Sequence, residues 1–208
     1  HCGVGALRVR RGNLDEAEFS LRRARELAPE WGRPQAELGV LHAQRGEWDQ
    51  AVAALDEAVL LEPQDARHLS TLGWVHNQRK EHDLAIEVLR RAVALDPYLA
   101  EAHSPLGLAH AGSSRLEEGI EEYLKAIRLN PTDARNHYNL GVAYSRRGDW
   151  EKVVAAYERA LELNPSDLNA CYNLARVYER LGRKEDSIQQ LQAAWKIAVR
   201  KRSASLKS

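Results

Sequence analysis

The sequence predicts an all-α protein built from tandem helix–turn–helix repeats that stack into a solenoid. Prolines recur at one interval of 34 residues, at Pro29, Pro63, Pro97, Pro131 and Pro165. Small residues recur in phase with these prolines, and the apolar residues between the marks follow a helical period. Several independent series in one register indicate a repeat architecture in which neighbouring repeats complete each other's core.

Each recurring mark has a structural interpretation. Proline ends the second helix of a repeat, because it lacks an N–H and its ring clashes with the preceding turn. In the middle of each repeat, a glycine with a positive φ can join the two helices. This position holds Gly12, Gly46, Gly148 and Gly182, with Lys80 and Ser114 as exceptions. A third series lies inside the helices and predicts a close approach of two helix backbones: Gly5, Gly39, Gly73, Gly107, Gly141 and Ala175.

The fifth repeat carries the motif most clearly. It contains Asn139-Leu140-Gly141-Val142-Ala143-Tyr144, then Gly148-Asp149-Trp150, then Tyr157, Ala160 and Asn164-Pro165. This pattern resembles the tetratricopeptide repeat family over residues 1 to about 200. The resemblance implies a right-handed superhelical solenoid (an α-α superhelix) that binds other proteins on its concave face. A fold alone does not determine which partner is bound.

The repeat period also divides the chain. Residues 1–201 form an array of about six repeats: 1–31 (partial), 32–65, 66–99, 100–133, 134–167 and 168–201. The remaining residues, 202–208, form a basic tail that we expect to fray.

The fourth repeat departs most from the pattern. Pro105 falls where the first helix of this repeat should already be running. Ser104 could cap a helix whose first residue is Pro105, and the helix would then start several residues late. Two interpretations stay open, which are local decay of a redundant repeat and a hinge or widened groove.

Composition excludes several classes of function. The net charge is zero, from 30 basic and 30 acidic side chains, so we expect no nucleic-acid partner. No run of about 18 apolar residues occurs, so we expect no membrane span. Two cysteines, Cys2 and Cys171, do not make a disulfide framework. Because no secretory signal is visible, we expect a cytoplasmic protein; the start at His1 and the lack of Met suggest a fragment or processed product.

Metal binding and catalysis find no support in the motifs. Two sets of side chains occupy equivalent positions in successive repeats: His42, His76 and His110, and then His103, His137 and Cys171. Such positions lie about 8–10 Å or more apart, whereas zinc ligands lie within about 2.3 Å of one ion. We therefore predict no metal site and no cofactor, and we interpret the first set as packing residues with a polar tip. No nucleophile-elbow, zinc-protease or Walker motif occurs, so we predict that the chain is not an enzyme.

The resemblance also suggests where a partner binds. In this family the first helix of each repeat lines the concave face, and some members carry an asparagine ladder that grips a peptide backbone. Asn139 and Asn173 stand at ladder positions, and an amide supplies both a donor and an acceptor. Arginine suits carboxylates, so we expect an acidic or extended partner. The predicted peptide-binding residues are Arg135, Tyr138, Asn139, Arg146, Asn169, Tyr172, Asn173, Arg176, Arg180, Arg67 and Trp74.

These observations predict a protein-interaction scaffold or adaptor that binds a partner peptide or protein segment in the concave groove. Two alternatives stay open. The array could be the specificity arm of a larger enzyme, such as a glycosyltransferase that carries tetratricopeptide repeats. It could also self-associate into a scaffold of stacked copies.

Overall fold

The computed structural model describes residues 11–205 and, within them, the side chains of residues 14–199. All regular secondary structure in this range is helical: α1 (Arg11–Leu27), α2 (Gly32–Gln44), α3 (Trp48–Leu61), α4 (Ala66–Gln78), α5 (His82–Leu95), α6 (Ala100–Gly112), α7 (Leu116–Leu129), α8 (Ala134–Arg147), α9 (Trp150–Leu163), α10 (Leu168–Arg180) and α11 (Lys184–Ser205). The predicted all-α class is confirmed. None of the described helices is long and apolar enough to span a membrane.

A left-handed residue stands in each described turn that joins the two helices of one repeat. Gly46, Gly148 and Gly182 have φ angles of 78°, 87° and 74°, as the glycine series predicts. Lys80 and Ser114 occupy the same position with φ angles of 63° and 61°. The turn therefore imposes this conformation even where the sequence provides no glycine, and there it strains the backbone.

Gly12 does not follow this prediction. It lies in the first turn of α1, which begins at Arg11, and not in a turn between helices. The residues that follow are mostly strong helix formers, and they outweigh a glycine penalty of about 1 kcal/mol. The first part of the predicted first repeat, with Cys2 and Gly5, lies outside the described residues.

The prediction of a late first helix in the fourth repeat is wrong. Helix α6 begins at Ala100 and runs on with Pro105 in its interior. Pro105 has no N–H to donate to the carbonyl of Glu101, one turn earlier. The Oγ of Ser70 donates to that carbonyl instead, at 2.8 Å. The Nδ2 of Asn77 donates to the carbonyl of Pro105, also at 2.8 Å. The Ser70 side chain of α4 thus replaces the hydrogen bond that Pro105 cannot donate, and the Asn77 side chain adds a second contact to the same helix.

The chain divides into two compact units between Pro105 and Leu106, within α6. In the N-terminal unit, the buried side chains of Leu55, Leu72 and Val75 form a cluster that includes residues of α2, α3 and α4. In the C-terminal unit, a cluster of the same kind joins α9 and α10, through Val153, Val154, Tyr157, Leu174, Val177 and Tyr178. Each unit therefore has a core of its own, built by stacking helix pairs.

The glycines inside the helices make room for the partner helix. A Cβ added at Gly73 would lie 2.3 Å from the Cγ of Leu89, so the close neighbour is a side chain. At Gly107 the neighbours include the backbone, because the carbonyl oxygen of Gly119 would lie 3.0 Å from an added Cβ. The predicted close approach is confirmed, but the backbone-to-backbone form that the sequence suggested holds for the α6–α7 pair and not for Gly73.

Helix α11 carries an exposed apolar stripe. Its members are Ile188, Leu191, Trp195 and Val199, of which Trp195 is 67% exposed. The equivalent stripe of α9 is covered by α10. Helix α11 continues to Ser205, beyond the predicted end of the array at residue 201, and residues 206–208 lie outside the described range. The fraying of the tail stays a prediction.

Candidate functional site

A cleft of about 570 Å³ opens between α8 and α10 in the C-terminal unit. Helix α8 contributes three residues of its last two turns, helix α10 contributes five, and helix α9 adds two aromatic rings. The lining consists of Val142, Ser145, Arg146, Trp150, Tyr157, Asn173, Arg176, Val177, Glu179 and Arg180.

Two aspartates fix the starts of the helices that form the walls. The Oδ1 atom of Asp133 accepts a hydrogen bond from the backbone N–H of Arg135 at 3.0 Å, which caps α8. The Oδ1 atom of Asp167 accepts from the backbone N–H of Asn169 at 2.9 Å, which caps α10. Gly148, with its left-handed φ, ends α8 and lets Trp150 begin α9 beside the cleft.

The cleft is basic. Three arginines line it against one glutamate, Glu179. The Nη1 of Arg146 donates to the carbonyl of Ala111 at 3.1 Å, and the guanidinium of Arg180 lies 4.3 Å from the centre of the Trp150 ring. Stacking on the indole holds the guanidinium plane in place while its edge stays available to an anion.

Asn173 sits among tyrosines. Its Nδ2 donates to the hydroxyl of Tyr138 at 3.1 Å, and the Tyr138 and Tyr157 rings lie 5.6 Å apart. Burial, together with the neighbouring Tyr138, raises the pKa of Tyr157 to about 12, so this hydroxyl stays neutral at physiological pH. The Asn173 side chain also hydrogen-bonds the Tyr157 hydroxyl, and its carbonyl oxygen can accept a hydrogen bond from a peptide N–H.

The structure brings together part of the predicted set. Of the predicted residues, Arg146, Asn173, Arg176 and Arg180 line the cleft, and Tyr138 contacts it through Asn173.

The other predicted residues of the C-terminal unit lie outside the lining: Arg135, Asn139, Asn169 and Tyr172. The guanidinium of Arg135 is bound to the carboxylate of Asp133, at 2.9 Å. Tyr172 is exposed, and Asn139 is half-buried. Arg67 and Trp74 belong to the N-terminal unit, where Trp74 packs edge-on against Trp48 with ring centres 6.4 Å apart. Their binding role stays a prediction.

The predicted peptide-binding set does not include six residues of the cleft: Val142, Ser145, Trp150, Tyr157, Val177 and Glu179. Two of them belong to α9, the second helix of its repeat, whereas the prediction considered first helices alone. A usable signal was present, because Trp150 directly follows the Gly148-Asp149 turn, which directs the start of α9 toward the end of α8.

Two histidines of the first predicted set contact carboxylates at the turn within their own repeat. The Nδ1 atom of His42 lies 2.6 Å from a carboxylate oxygen of Glu47, and that of His76 lies 2.7 Å from one of Glu81. The hydrogen bond to His76 lowers the pKa of the Glu81 carboxyl. Each histidine therefore bridges the end of a first helix to the start of the second.

A different group brings possible metal ligands together. One ligand atom from each of Glu62, Asp65 and His68 lies within 4.8 Å of the others. Glu62 binds the His68 ring at 2.7 Å and the backbone N–H of Gly32 at 3.0 Å, while Asp65 caps α4. These contacts account for all three side chains, and the predicted lack of a metal stays a prediction.

Comparisons with known proteins identify the family. Models described as tetratricopeptide repeat or TPR repeat match residues 36–100, 113–148, 134–167 and 156–189. The chain belongs to the tetratricopeptide repeat family. No curated protein sequence matches it at a significant level.

Solved structures share the fold. A crystal structure of MamA is 27% identical, has a TM-score of 0.71, and the match covers 79% of this chain and 96% of that one. In the APC/C hetero-tetramer Cut9–Hcn1, a chain is 25% identical with a TM-score of 0.79, and the match covers 89% of this chain and 37% of that one. YrrB, a TPR protein with an unusual peptide-binding site, is 19% identical with a TM-score of 0.64, over 85% and 91% of the two chains. Proteins of this family generally serve as protein–protein interaction scaffolds, and the fold implies this role for the chain.

Proposed function

We propose that the cleft between α8 and α10 binds an extended segment of a partner protein that carries an acidic side chain. One observation supports this proposal above the others, which is the convergence of Val142, Val177 and Trp150 with three arginines and an asparagine amide in one cleft. Apolar and aromatic surface provides contact area, and a few placed polar groups provide orientation.

Each group has a distinct part in this binding. The Asn173 amide bonds a peptide group of the partner, and Asn139 extends the contact along α8. Within the described residues, no hydrogen bond or ion pair engages Arg176, so its guanidinium is free to meet a carboxylate. Arg180 presents its edge while stacked on Trp150. Because these arginines are exposed, each ion pair should contribute about 0.2–1 kcal/mol and weaken with salt.

The test is a binding titration with a peptide selected from a random library against the parent protein. Asn173→Ala should weaken binding by roughly 2–12-fold, which corresponds to the net 0.5–1.5 kcal/mol of one hydrogen bond. Arg176→Gln should weaken binding at low salt and much less at high salt. Asn139→Ala combined with Asn173→Ala should weaken it further and leave the melting temperature nearly unchanged.

Two control variants isolate the cleft. Tyr138→Phe removes the hydroxyl that Asn173 contacts and keeps the amide, so it separates loss of a peptide contact from loss of support for Asn173. Arg159→Gln removes an exposed arginine of α9 that pairs with Glu162 outside the cleft, and it should bind like the parent. Equal binding by the asparagine double variant, or a footprint on α7 and on the part of α9 that carries Arg159, would refute the proposed site.

Self-association is the second candidate function, and the stripe of α11 favours it. The equivalent stripe of α9 is covered by α10, which is a first helix of this same chain. A second copy of the chain therefore carries first helices, like α10, of the kind that can pack against the exposed stripe of α11. Light scattering should then show a mass that rises with concentration in the parent and stays monomeric in Trp195→Gln. A parent that stays monomeric at all concentrations would exclude this function.

A further inference from the structure

A second cleft, of about 230 Å³, lies in the N-terminal unit. Helices α1 and α3 form its two walls, and α2 forms its floor. Second helices of two repeats form its walls, whereas first helices form the walls of the cleft between α8 and α10. Gln35 of α2 lines it and is 1% exposed. The Nε2 of Gln35 has no hydrogen-bond partner among the described residues. A buried amide donor without a partner is rare in folded proteins, because its desolvation is not compensated.

The other repeats show that the fold does not require an amide here. The positions equivalent to Gln35 hold Leu69 and Cys171, which are buried, and two histidines, His103 and His137. The rings of these histidines contact the carbonyls of Pro97 and Pro131, at 2.9 and 3.1 Å. In each of these repeats the position is therefore either apolar or satisfied by its own loop.

A second substitution occurs beside the first. Arg25 of α1 also lines the cleft, and the equivalent positions of the next four repeats are all apolar: Val59, Val93, Ile127 and Leu161. In the next repeat, Val59 and Leu69 belong to one apolar cluster. The pair of Arg25 and Gln35 thus replaces an apolar contact of the core by a guanidinium and a buried amide that both line the cleft.

We propose that this cleft binds a single carboxylate group, with Gln35 as the buried hydrogen-bond donor and Arg25 as the counter-charge. An amide N–H and a guanidinium both donate, and a carboxylate accepts two or more such bonds. The cleft is smaller than the roughly 300–1,000 Å³ of drug-sized sites, which suits one side chain or a small carboxylate.

The neighbouring charges set the selectivity. Arg22 also lines the cleft, but its guanidinium lies 2.7 Å from Glu18 in a group of two arginines and two carboxylates, completed by Arg45 and Asp15, that has no net charge. Glu57 lies on the other wall. One unpaired arginine opposite one glutamate favours binding of a group with a single negative charge. Binding of a polyanion is disfavoured, because the glutamate repels the additional charges. The carboxylate belongs to a glutamate or aspartate of a bound peptide, or to a free small carboxylate.

The test uses the side-chain amide resonance of Gln35 in the 15N-labelled protein, identified by its loss in Gln35→Leu. The probes are the blocked peptide acetyl-Gly-Glu-Gly-amide, its neutral counterpart acetyl-Gly-Gln-Gly-amide, sodium acetate and sodium chloride. The glutamate peptide should shift the resonance saturably, and the glutamine peptide and chloride should not. A response to acetate as well would identify free carboxylates as a second source of the ligand.

The control variants copy the neighbouring repeat. Gln35→Leu and Arg25→Val introduce the residues found at Leu69 and Val59, which fit the same fold. In the parent, the glutamate peptide should raise the melting temperature, and in Gln35→Leu this rise should vanish. Arg25→Val should weaken binding about tenfold, the effect of a charged hydrogen bond of about 1.5 kcal/mol. Arg176→Gln should leave the response unchanged, which separates this cleft from the one between α8 and α10.

Two outcomes would overturn the proposal. One is a Gln35 resonance that stays in place at millimolar concentrations of both carboxylate probes. The other is a thermal shift of equal size in Gln35→Leu and in the parent.

Discussion

The hydroxyl of Ser70 on α4 donates a 2.8 Å hydrogen bond to the backbone carbonyl of Glu101 on α6. That carbonyl would otherwise accept from the N–H of residue 105, which is a proline. Ser70 is buried, so without this bond the carbonyl would face a setting with little access to water. A side chain of one repeat therefore compensates for a helix defect in the next.

Removal of this hydroxyl should destabilise the protein in a way that depends on Pro105. Ser70→Ala should lower the free energy of unfolding by about 1–3 kcal/mol, because a buried acceptor loses its partner. In a Pro105→Ala background the restored N–H should satisfy the same carbonyl, so Ser70→Ala should cost clearly less. Urea denaturation of the four proteins gives the coupling energy.

Thr71 provides the matched control. Its hydroxyl bonds the carbonyl of Arg67 within its own helix, so Thr71→Ala should show no coupling to Pro105→Ala. Strict additivity of Ser70→Ala and Pro105→Ala would contradict the compensating role of Ser70.

The left-handed turns predict stabilising substitutions. Lys80 and Ser114 adopt φ angles of 63° and 61°, at positions where other repeats have glycine. Replacing each by glycine should relieve about 1 kcal/mol of backbone strain, offset in part by the greater freedom of glycine in the unfolded chain. We expect a rise in the free energy of unfolding for Lys80→Gly and for Ser114→Gly. Gly46→Ala, in the reverse direction, should destabilise, and a Lys80→Gly variant less stable than the parent would refute this account.

The sequence was sufficient to predict the fold for a physical reason. Every repeat of a solenoid packs in the same way. A requirement such as a left-handed turn or a missing Cβ therefore recurs in the sequence at the repeat interval. Where one repeat has no glycine at this position, as at Lys80, the glycines of the other repeats still identified the turn. The start of α6 was mispredicted because a single repeat was considered, and the side chains that support Pro105 lie on α4, about 30 residues earlier.

The cleft between α8 and α10 was harder to predict than the fold. Register indicates which first-helix positions point away from the core, and Asn173 and Arg176, which stand at such positions, line the cleft. Register does not indicate how side chains pair with one another. Arg135 was expected to face a ligand, but its aspartate neighbour two residues earlier binds it. Trp150 was missed because it comes from the second helix.

The ion pair of Arg135 and Asp133 predicts that the free energy of unfolding falls at acidic pH. Burial alone would raise the pKa of the Asp133 carboxyl, but hydrogen bonds from the side chain and the backbone N–H of Arg135 lower it overall. A lowered pKa in the folded state gives stability that is present above the unfolded value of about 3.9 and is lost as the pH falls through the folded value. The stability of the parent relative to Asp133→Asn should therefore shrink between neutral pH and pH below about 4.

Asparagine keeps the capping hydrogen bond of α8, so this comparison isolates the charge. Urea denaturation of both proteins at each pH is the measurement. A stability difference that stays constant with pH would show that the ionised carboxylate does not contribute. Arg135→Gln should reduce the same pH dependence.

Removal of metal ions should leave the melting temperature unchanged. The ligand atoms of Glu62, Asp65 and His68 lie close together, but each of these side chains already has partners in the protein. Thermal unfolding with and without a chelator is the measurement. If the chelator lowers the melting temperature of the parent and not that of His68→Gln, a metal at this cluster contributes to folding.

Hydrogen exchange should identify residues 100–119 as the least protected internal segment. Pro105 removes one intrahelical hydrogen bond of α6, so the carbonyl of Glu101 depends on the Ser70 hydroxyl of α4, and the Asn77 amide of α4 also donates to the carbonyl of Pro105. Local openings that break these bonds should cost less free energy than openings of α8 and α9, in which no proline interrupts the helix. Ser70→Ala combined with Asn77→Ala should speed exchange in α6 and leave residues 134–163 nearly unaffected. Exchange of α6 that is as slow as that of α8 in the parent would show that the packing of its buried residues, and not these two hydrogen bonds, determines its stability.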